Sequence, residues 1–317
     1  MKIAFSCGGT GGHIYPALAI AEKFVSAERS RSTDCFFIGS DRLEKTLVPK
    51  AGFKFFQIAA SRRSVWPILR GFGQSLYIIW RQKPDIIIAT GGYVTVPVIL
   101  AAKLLGKKVY LQEQNILPGK VNRFLSLFAV KVFIAFAGAS KYFPRNKCVL
   151  TGNPVRKDLL NAIWSKKNTK ILAFGGSLSA QSINNAVFAL KNKKYTDKLI
   201  HLNGKHYCHD MSEVYSRAKL CICRAGATTL SELAALGLPS ILVPYPHAAD
   251  NHQEFNARYF EKHGAGVVIL DKDLSAASLE KTIAKIDDPT TLEKMSKAAK
   301  ALSISNAAEK IAEFICR

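Results

Sequence analysis

The residue best placed to do chemistry in this 317-residue chain is His13, which directly follows Gly8-Gly9-Thr10-Gly11-Gly12. A glycine turn that opens a helix aims unpaired backbone N–H groups and the positive end of the helix dipole at one point. With no Cβ in the way an anion can approach the backbone closely, so phosphate is the natural ligand. A histidine at that helix start, just before Pro16, stands where a reacting hydroxyl could be met. The dipole there disfavours imidazolium and helps keep the ring neutral and able to accept a proton. A histidine that only hydrogen-bonds the loop is the plainer alternative, and the residues alone leave both open.

Two further glycine pairs follow strand-like runs, Gly91-Gly92-Tyr93 and Gly175-Gly176-Ser177. A second polar cluster reads Arg224-Ala225-Gly226-Ala227-Thr228-Thr229-Leu230-Ser231-Glu232. In it Thr229-x-x-Glu232 fits a capping box. The chemical alternative is that Glu232, one turn into a helix beside a glycine entrance, grips paired sugar hydroxyls. Pro244-Tyr245-Pro246-His247 and the polar string Asp250–Ala257 follow, and a solvated loop and helix start is the bland reading of that string. Familiar phosphate motifs fit poorly. No Gly-x4-Gly-Lys-Ser/Thr string occurs, and a dinucleotide fingerprint at Gly9-Thr10-Gly11 would meet Ile14 where its third glycine belongs. His201, His206 and His209 with Cys208 match no zinc spacing.

These loops need rigid elements behind them. Lys2–Ser6, Asp85–Ala89 and Lys170–Phe174 are apolar runs of strand length, each ending on a glycine pair and each followed by a helix-like stretch (Ala17–Phe24, Val96–Leu105, Ser182–Leu190). Strands apolar on both faces imply parallel sheets covered by helices on each side. The first and third runs both read Lys-Ile-x-x-Phe, which points to an α/β chain of two facing, doubly wound Rossmann-like domains. The boundary is expected at Thr151-Gly152-Asn153-Pro154, giving domains 1–153 and 154–317. Ser278–Arg317, rich in Ala, Lys and Glu, reads as one or two helices.

The charge is lopsided. Lysine and arginine number 45 against 23 acids, for a net charge of +22, and 22 bases against 7 acids fall in residues 1–155. That calls for an anionic partner, chiefly of the first half. Seven scattered cysteines without a CxxC pair exclude a disulfide-stapled scaffold, and Cys221-Ile222-Cys223 reads as a buried strand. No signal peptide is expected at Met1–Phe5, and the longest uncharged runs fall short of a membrane span. The segments Arg62–Phe72 and Leu76–Arg81 mix aromatics, aliphatics and arginines as interfacial segments do, or else form a core helix with a basic flank. With no RNP motif, finger or regularly spaced basic helix, nucleic acid is not expected.

Taken in order, Gly8–Ala17, Gly91-Gly92-Tyr93, Glu113-Gln114-Asn115, Gly152–Arg156, Arg224–Ala227 with Ser231-Glu232, and Asn251–Glu254 resemble the MurG family of bacterial N-acetylglucosaminyltransferases along nearly the whole chain. The resemblance implies a GT-B fold and transfer from UDP-N-acetylglucosamine to undecaprenyl-diphospho-N-acetylmuramoyl-pentapeptide (lipid I). The N-terminal domain would hold the acceptor and the C-terminal domain the donor, and the last helix is free to cross back to the N-terminal domain. It further implies a peripheral protein on the cytoplasmic face of the bacterial inner membrane, with lipid I, anionic phospholipid and other peptidoglycan-synthesis proteins as partners.

By the same resemblance His13 is the catalytic base. Gly11, Gly12, Gly91, Gly92 and Tyr93 lie at the acceptor diphosphate. Thr10, Gly11, Gly12, His13, Asn115, Arg156, Ser177, Cys208, Ala227, Thr228, Glu232 and Gln253 line the donor. Arg156 and Ser177 meet the UDP phosphates, Cys208 the uracil, Glu232 the ribose and Gln253 the sugar hydroxyls. No cofactor and no metal is expected; Asp271-Lys272-Asp273 spells Asp-x-Asp but reads as a solvated turn. Three features depart from the family: Ser179 in place of a glycine, a shortened stretch His201–Met211, and Glu254 in place of a glutamine. A transferase with another lipid acceptor, such as a diacylglycerol, is the alternative, and the motifs around His13 and Glu113 weigh against it.

Overall fold

The computed structural model describes residues 1–317 except 28–32, 62–63, 156–158, 160–162, 176–179, 204–210 and 305. Alternation along the first strand shows how the chain is built. Ile3, Phe5 and Cys7 pack on one side of a sheet while Ala4 packs on the other, and both sides are fully buried. Ile86 and Ile88 join the first layer, Ile87 and Ala89 the second. A strand greasy on both faces needs helices on both, which is the two-layer cover expected of a parallel sheet.

Two compact units result. The first comprises Met1–Pro154 and Asn306–Arg317, the second Val155–Ser305. Unit 1 holds β1 (Lys2–Cys7), α1 (Gly11–Ala27), β2 (Asp34–Gly39), α2 (Leu43–Lys50), β3 (Lys54–Gln57), α3 (Trp66–Gln82), β4 (Ile86–Gly91), α4 (Thr95–Leu104), β5 (Lys108–Glu113), α5 (Lys120–Leu125), β6 (Lys131–Ile134) and β7 (Cys148–Leu150). Its sheet is parallel throughout, in the order β3-β2-β1-β4-β5-β6-β7. Unit 2 holds β8 (Lys170–Phe174), α6 (Gln181–Phe188), α7 (Lys193–Thr196), β9 (Leu199–Leu202), α8 (Met211–Arg217), β10 (Ala218–Cys223), α9 (Ala227–Leu236), β11 (Ser240–Leu242), α10 (His252–Lys262), β12 (Gly266–Val268), α11 (Ala276–Ile286) and α12 (Pro289–Ala301). Its strands, again all parallel, run β12-β11-β10-β8-β9.

Each order reverses direction once. In unit 1 the chain winds outward from β1 to β3 and returns to place β4 on the other side of β1. In unit 2 it passes from β8 to β9 and returns to place β10 beside β8. The crevices outside the carboxyl ends of β1/β4 and of β8/β10 are therefore the switch points where open α/β sheets hold ligands.

The C-terminal stretch forms three helices rather than one or two. Asp288 accepts from the backbone N–H groups of Thr290 and Thr291, and Pro289 starts α12 behind it, so the chain must break there. The last helix, α13 (Ala307–Cys316), belongs to unit 1. Ile311 and Ala312 join the core beside α1, Phe314 meets Phe133 edge-on at 5.5 Å, and Glu309 pairs with Lys23 at 2.9 Å. Cys221 and Cys223 are buried in β10, as their alternation indicates.

Helix α3 is amphipathic in an unusual sense. Gly71, Ser75, Ile78 and Ile79 face the core, whereas Trp66 (79% exposed), Leu69, Tyr77 and Trp80 (62% exposed) face outward with Arg70 and Arg81. The reading as an ordinary core helix with a basic flank therefore gives way to one with an exposed aromatic face. Among the described residues no helix is long and apolar enough to cross a membrane.

Candidate functional site

In unit 1 the loop after β1 and the loop after β4 meet at the switch point. The β1–β4 register shifts so that Cys7 pairs with Gly91, and the Gly8 N–H donates to the Gly91 carbonyl at 3.2 Å. Gly91 (φ 118°) and Gly92 (φ 96°) both occupy backbone space that side chains avoid. A Cβ on Gly91 would stand 2.8 Å from His13 Nδ1, so that glycine is what lets the imidazole close onto the loop.

Helix α1 begins at Gly11, with His13 in its first turn. The N–H groups of Gly11 and Gly12 lie outside the intrahelical ladder and point past the helix end. The preceding turn is otherwise engaged: the Gly9 N–H donates to buried Glu44 at 3.2 Å, whose other oxygen accepts from the Ser40 N–H and hydroxyl. A fixed carboxylate beneath Gly8-Gly9 repels an anion there, which leaves the helix start at Gly11-Gly12 as the anion-facing part of the loop.

His13 Nδ1 lies 3.0 Å from Gln114 Oε1. The main-chain carbonyl of His13 accepts from the Thr90 hydroxyl at 2.7 Å, tying α1 to the end of β4. Beside Gln114 the Glu113 carboxylate is fully buried and gathers the following loop. It accepts from the Asn115 N–H (2.8 Å), the Asn115 side chain (3.2 Å) and Asn122 Nδ2 (2.9 Å). Burial raises the Glu113 carboxyl above its ordinary value against the pull of these donors. Asn122 Oδ1 is buried without a hydrogen-bond partner among the described residues. Tyr93 is exposed and Asn115 half-buried.

Unit 2 assembles its site from the carboxyl ends of β8, β10 and β11. Gly226 caps α9 and Ala227 is its first residue, so Thr229 lies inside the helix and is not its cap; the capping-box reading of Thr229 and Glu232 does not hold. The Thr228 hydroxyl at this helix start is buried and unpartnered among the described residues. Glu232 is half-buried and accepts from the Tyr215 hydroxyl at 2.9 Å. Tyr215 is itself buried against Phe174 at the end of β8, and that burial, with the Glu232 charge next in effect, raises its phenol well above the ordinary value. On α10, Gln253 Oε1 accepts from the Tyr245 N–H at 3.0 Å. Asp250 and Asn251 before it both have positive φ (51° and 55°), and Asn251 enters α10 in the left-handed region. Both residues are exposed and α10 starts directly after them, so the string is a solvated loop and helix start entered through strained backbone. Arg156, Ser177 and Cys208 lie outside the described residues, as do Ser179 and most of His201–Met211.

Asp271-Lys272-Asp273 forms a single 3-10 turn with Lys272 and Asp273 exposed, in line with the solvated turn expected, while Asp271 is half-buried: its carboxylate pairs with Arg224 at 2.5 Å and accepts from the Ser182 hydroxyl at 2.6 Å. Arg224 also donates to Ser182 and to the carbonyls of Val243 and Pro244, and it lies over the Tyr245 ring. The network clamps the ends of β10 and β11 to the start of α6. His201 pairs with Asn184 at 2.9 Å against the Phe188 ring, and no group of three or more metal-ligating side chains is found among the described residues.

The residues missed by sequence reading are therefore Glu44, Asn122, Ser182 and Tyr215, together with a role for Gln114 and Asp271. Their chain separations explain why. Glu44 is 35 residues from Gly9 and Gln114 is 101 from His13. Only Gln114, inside Glu113-Gln114-Asn115, and Asp271, inside Asp271-Lys272-Asp273, carried a local signal.

Comparison with known proteins places these loops in context. Residues 3–134 match the glycosyltransferase family 28 N-terminal domain and residues 189–312 its C-terminal domain. A "UDP-N-acetylglucosamine--N-acetylmuramyl-(pentapeptide) pyrophosphoryl-undecaprenol N-acetylglucosamine transferase" of Thermoanaerobacter sp. (strain X514) is 38% identical, covering 99% of each chain. One of that name, numbered 1, from Bacillus cereus is 39% identical over 99% of this chain and 98% of its own. Among solved structures, MurG of Acinetobacter baumannii superposes with a TM-score of 0.83 at 27% identity, covering 99% of both chains. The two parallel-sheet α/β units and this likeness fit the GT-B fold.

Proposed function

The chain belongs to the MurG family within glycosyltransferase family 28, and from that premise we propose that it performs the reaction for which its full-length relatives are named. It is a glycosyltransferase that moves N-acetylglucosamine from UDP-N-acetylglucosamine to the 4-hydroxyl of the muramoyl sugar of lipid I, giving lipid II for peptidoglycan synthesis. The observation that carries this reading is identity of 38% sustained over 99% of both chains, which leaves neither unit unmatched.

The geometry supports a division of labour. Unit 1 takes the acceptor, its diphosphate at the N-terminal ends of α1 and α4 near Gly11, Gly12, Gly91, Gly92 and Tyr93, with Asn115 near the sugar. Unit 2 takes the donor: Glu232, steadied by Tyr215, for the ribose diol, Thr228 and the α9 N-terminus with Arg156 and Ser177 for the diphosphate, Cys208 for uracil, and Gln253 for the sugar hydroxyls. His13 removes the proton of the 4-hydroxyl as its oxygen attacks the anomeric carbon. The carbon–oxygen bond to UDP breaks on the opposite face, and UDP departs with the electron pair, so the α-linked donor yields a β-linked product. Negative charge grows on the departing diphosphate, and positive groups already aimed there stabilise the transition state more than the ground state.

The acceptor is anchored in a bilayer, so the protein must work as a peripheral protein at the cytoplasmic face of the inner membrane. The exposed Trp66, Leu69, Tyr77 and Trp80 with Arg70 and Arg81 supply the apolar and basic contacts for an anionic phospholipid surface. Other peptidoglycan-synthesis proteins are further partners under this reading. Replacing Trp66 and Trp80 by glutamate is expected to abolish sedimentation with anionic vesicles; undiminished sedimentation refutes this surface.

The decisive assay is transfer of labelled N-acetylglucosamine from the UDP-sugar to a lipid I analogue. Transfer by the wild type is expected, with His13→Ala binding UDP but losing turnover. UDP binding without transfer to this acceptor would sink the assignment and call for a panel of other lipids. Unchanged turnover in His13→Ala removes His13 as the base.

A further inference from the structure

We propose that Gln114 is the positioning residue that holds His13 in the tautomer protonated at Nδ1, so that the lone pair sits on Nε2. The proposal rests on the reading of His13 as the base. The argument starts from two backbone carbonyls, which can only accept. One end of the Gln114 side-chain amide lies 2.8 Å from the Thr90 carbonyl and 3.3 Å from the Gln112 carbonyl, and that end must be the NH2. The opposite end is then the oxygen, and it is this oxygen that lies 3.0 Å from His13 Nδ1. An amide oxygen has no hydrogen to give, so Nδ1 must carry one. A neutral imidazole has a single N–H, so Nε2 is left as the basic nitrogen.

The neighbours reinforce the same direction. The Gln114 NH2 also meets Gln112 Oε1, and Gln112 Nε2 in turn donates to Asn153 Oδ1 at 3.1 Å. Gln112, Gln114 and Asn153 are all buried. Turning Gln114 or Gln112 over would set oxygen against oxygen, and turning Asn153 over would set NH2 against NH2, among buried groups where the loss is costly. The row of amides thus runs from the base to Asn153, beside the Pro154 end of unit 1's first segment. Gly91 completes the arrangement, because any side chain there would displace the imidazole from Gln114.

The test is nitrogen-15 NMR on the full chain with labelled histidine, with the His13 signal identified by its loss in His13→Ala. Turnover and the KM for UDP-N-acetylglucosamine are measured on the same proteins. In the wild type His13 is expected to be protonated at Nδ1 and bare at Nε2. Gln114→Leu removes the acceptor; the tautomer shifts towards Nε2–H and kcat falls about 100-fold, with the donor KM within about 2-fold. Gln114→Glu, protonated on the oxygen that takes the place of the NH2, still donates to the Thr90 carbonyl and keeps an oxygen facing Nδ1, so it restores the tautomer and most of the turnover. A leucine variant that merely misfolds is recognised by loss of the wild-type thermal unfolding transition, and the wild-type spectrum and the glutamate variant then decide. Protonation of wild-type His13 at Nε2, or a tautomer unchanged in a folded Gln114→Leu, overturns the proposal. Wild-type turnover in His13→Ala overturns the base reading, and Gln114's catalytic part with it, whatever the tautomer.

Discussion

Gly91→Ala puts the local geometry of the unit 1 loop at risk in a way that can be measured twice. At φ 118° an alanine backbone is strained by about 1–3 kcal/mol. Its Cβ would lie 2.8 Å from His13 Nδ1 and 2.9 Å from Cε1, and the imidazole, not the strand, is the part free to yield. Swinging it away forfeits the Gln114 hydrogen bond, about 1 kcal/mol net. The expected cost is therefore about 2–4 kcal/mol, or about 5–15 °C in the melting temperature of a unit of this size. Displacing the base should also lower kcat by about 100-fold. Gly52→Ala is the control. It too has a positive φ (84°), but nothing lies within 4 Å of its Cβ. It should cost about 1–2 kcal/mol and leave kcat unchanged. Thermal unfolding and the lipid I transfer assay at saturating donor are run on both. If Gly91→Ala melts like Gly52→Ala and turns over like the wild type, the reasoning that Gly91 makes room for His13 is refuted.

Tyr215→Phe removes the donor that steadies Glu232, a loss of about 1 kcal/mol, so UDP affinity should fall about 5-fold with kcat largely retained; equal affinity by calorimetry would separate Glu232 from the ribose. Glu113 gives a signed pH dependence. Its carboxyl is raised above 4.5 by burial, so its contribution to stability is complete below 4.5 and is lost as pH rises through the raised value. Melting temperature should decline across that window in the wild type and lose that component in Glu113→Gln; an identical slope in both would show that another group is responsible.

Much of the fold is legible in the residues because its code is local. Ile3, Phe5 and Cys7 alternate with Ala4, and Ile86 and Ile88 with Ile87, so apolarity on both faces announces a covered parallel strand. The glycine pairs announce turns into helices, and α1, α4 and α6 follow them. The failures are equally physical. Thr229 lies inside α9 because Gly226, already extended, ends the preceding loop first. Three helices replace one or two at the C-terminus because Asp288-Pro289 is a stop and a start in one dipeptide. The partner of Asp271 is Arg224, 47 residues away, which no pattern around Asp271 foretells.

By itself, then, the sequence determined the class of fold, the glycine turns after β1 and β4, the histidine beside the first of them and, through its ordered motifs, the family. The tertiary structure alone decided that the β1 and β4 loops meet at one switch point, that Glu44 occupies the Gly9 N–H, that Tyr215 holds Glu232, and that Gln114 faces His13. The reason is range. A strand's period and a glycine's freedom are properties of a few neighbouring residues, whereas a hydrogen-bond partner is set by strand order and register. It took that register to bring Gln114 and Thr90, 101 and 77 residues along the chain, to the same histidine.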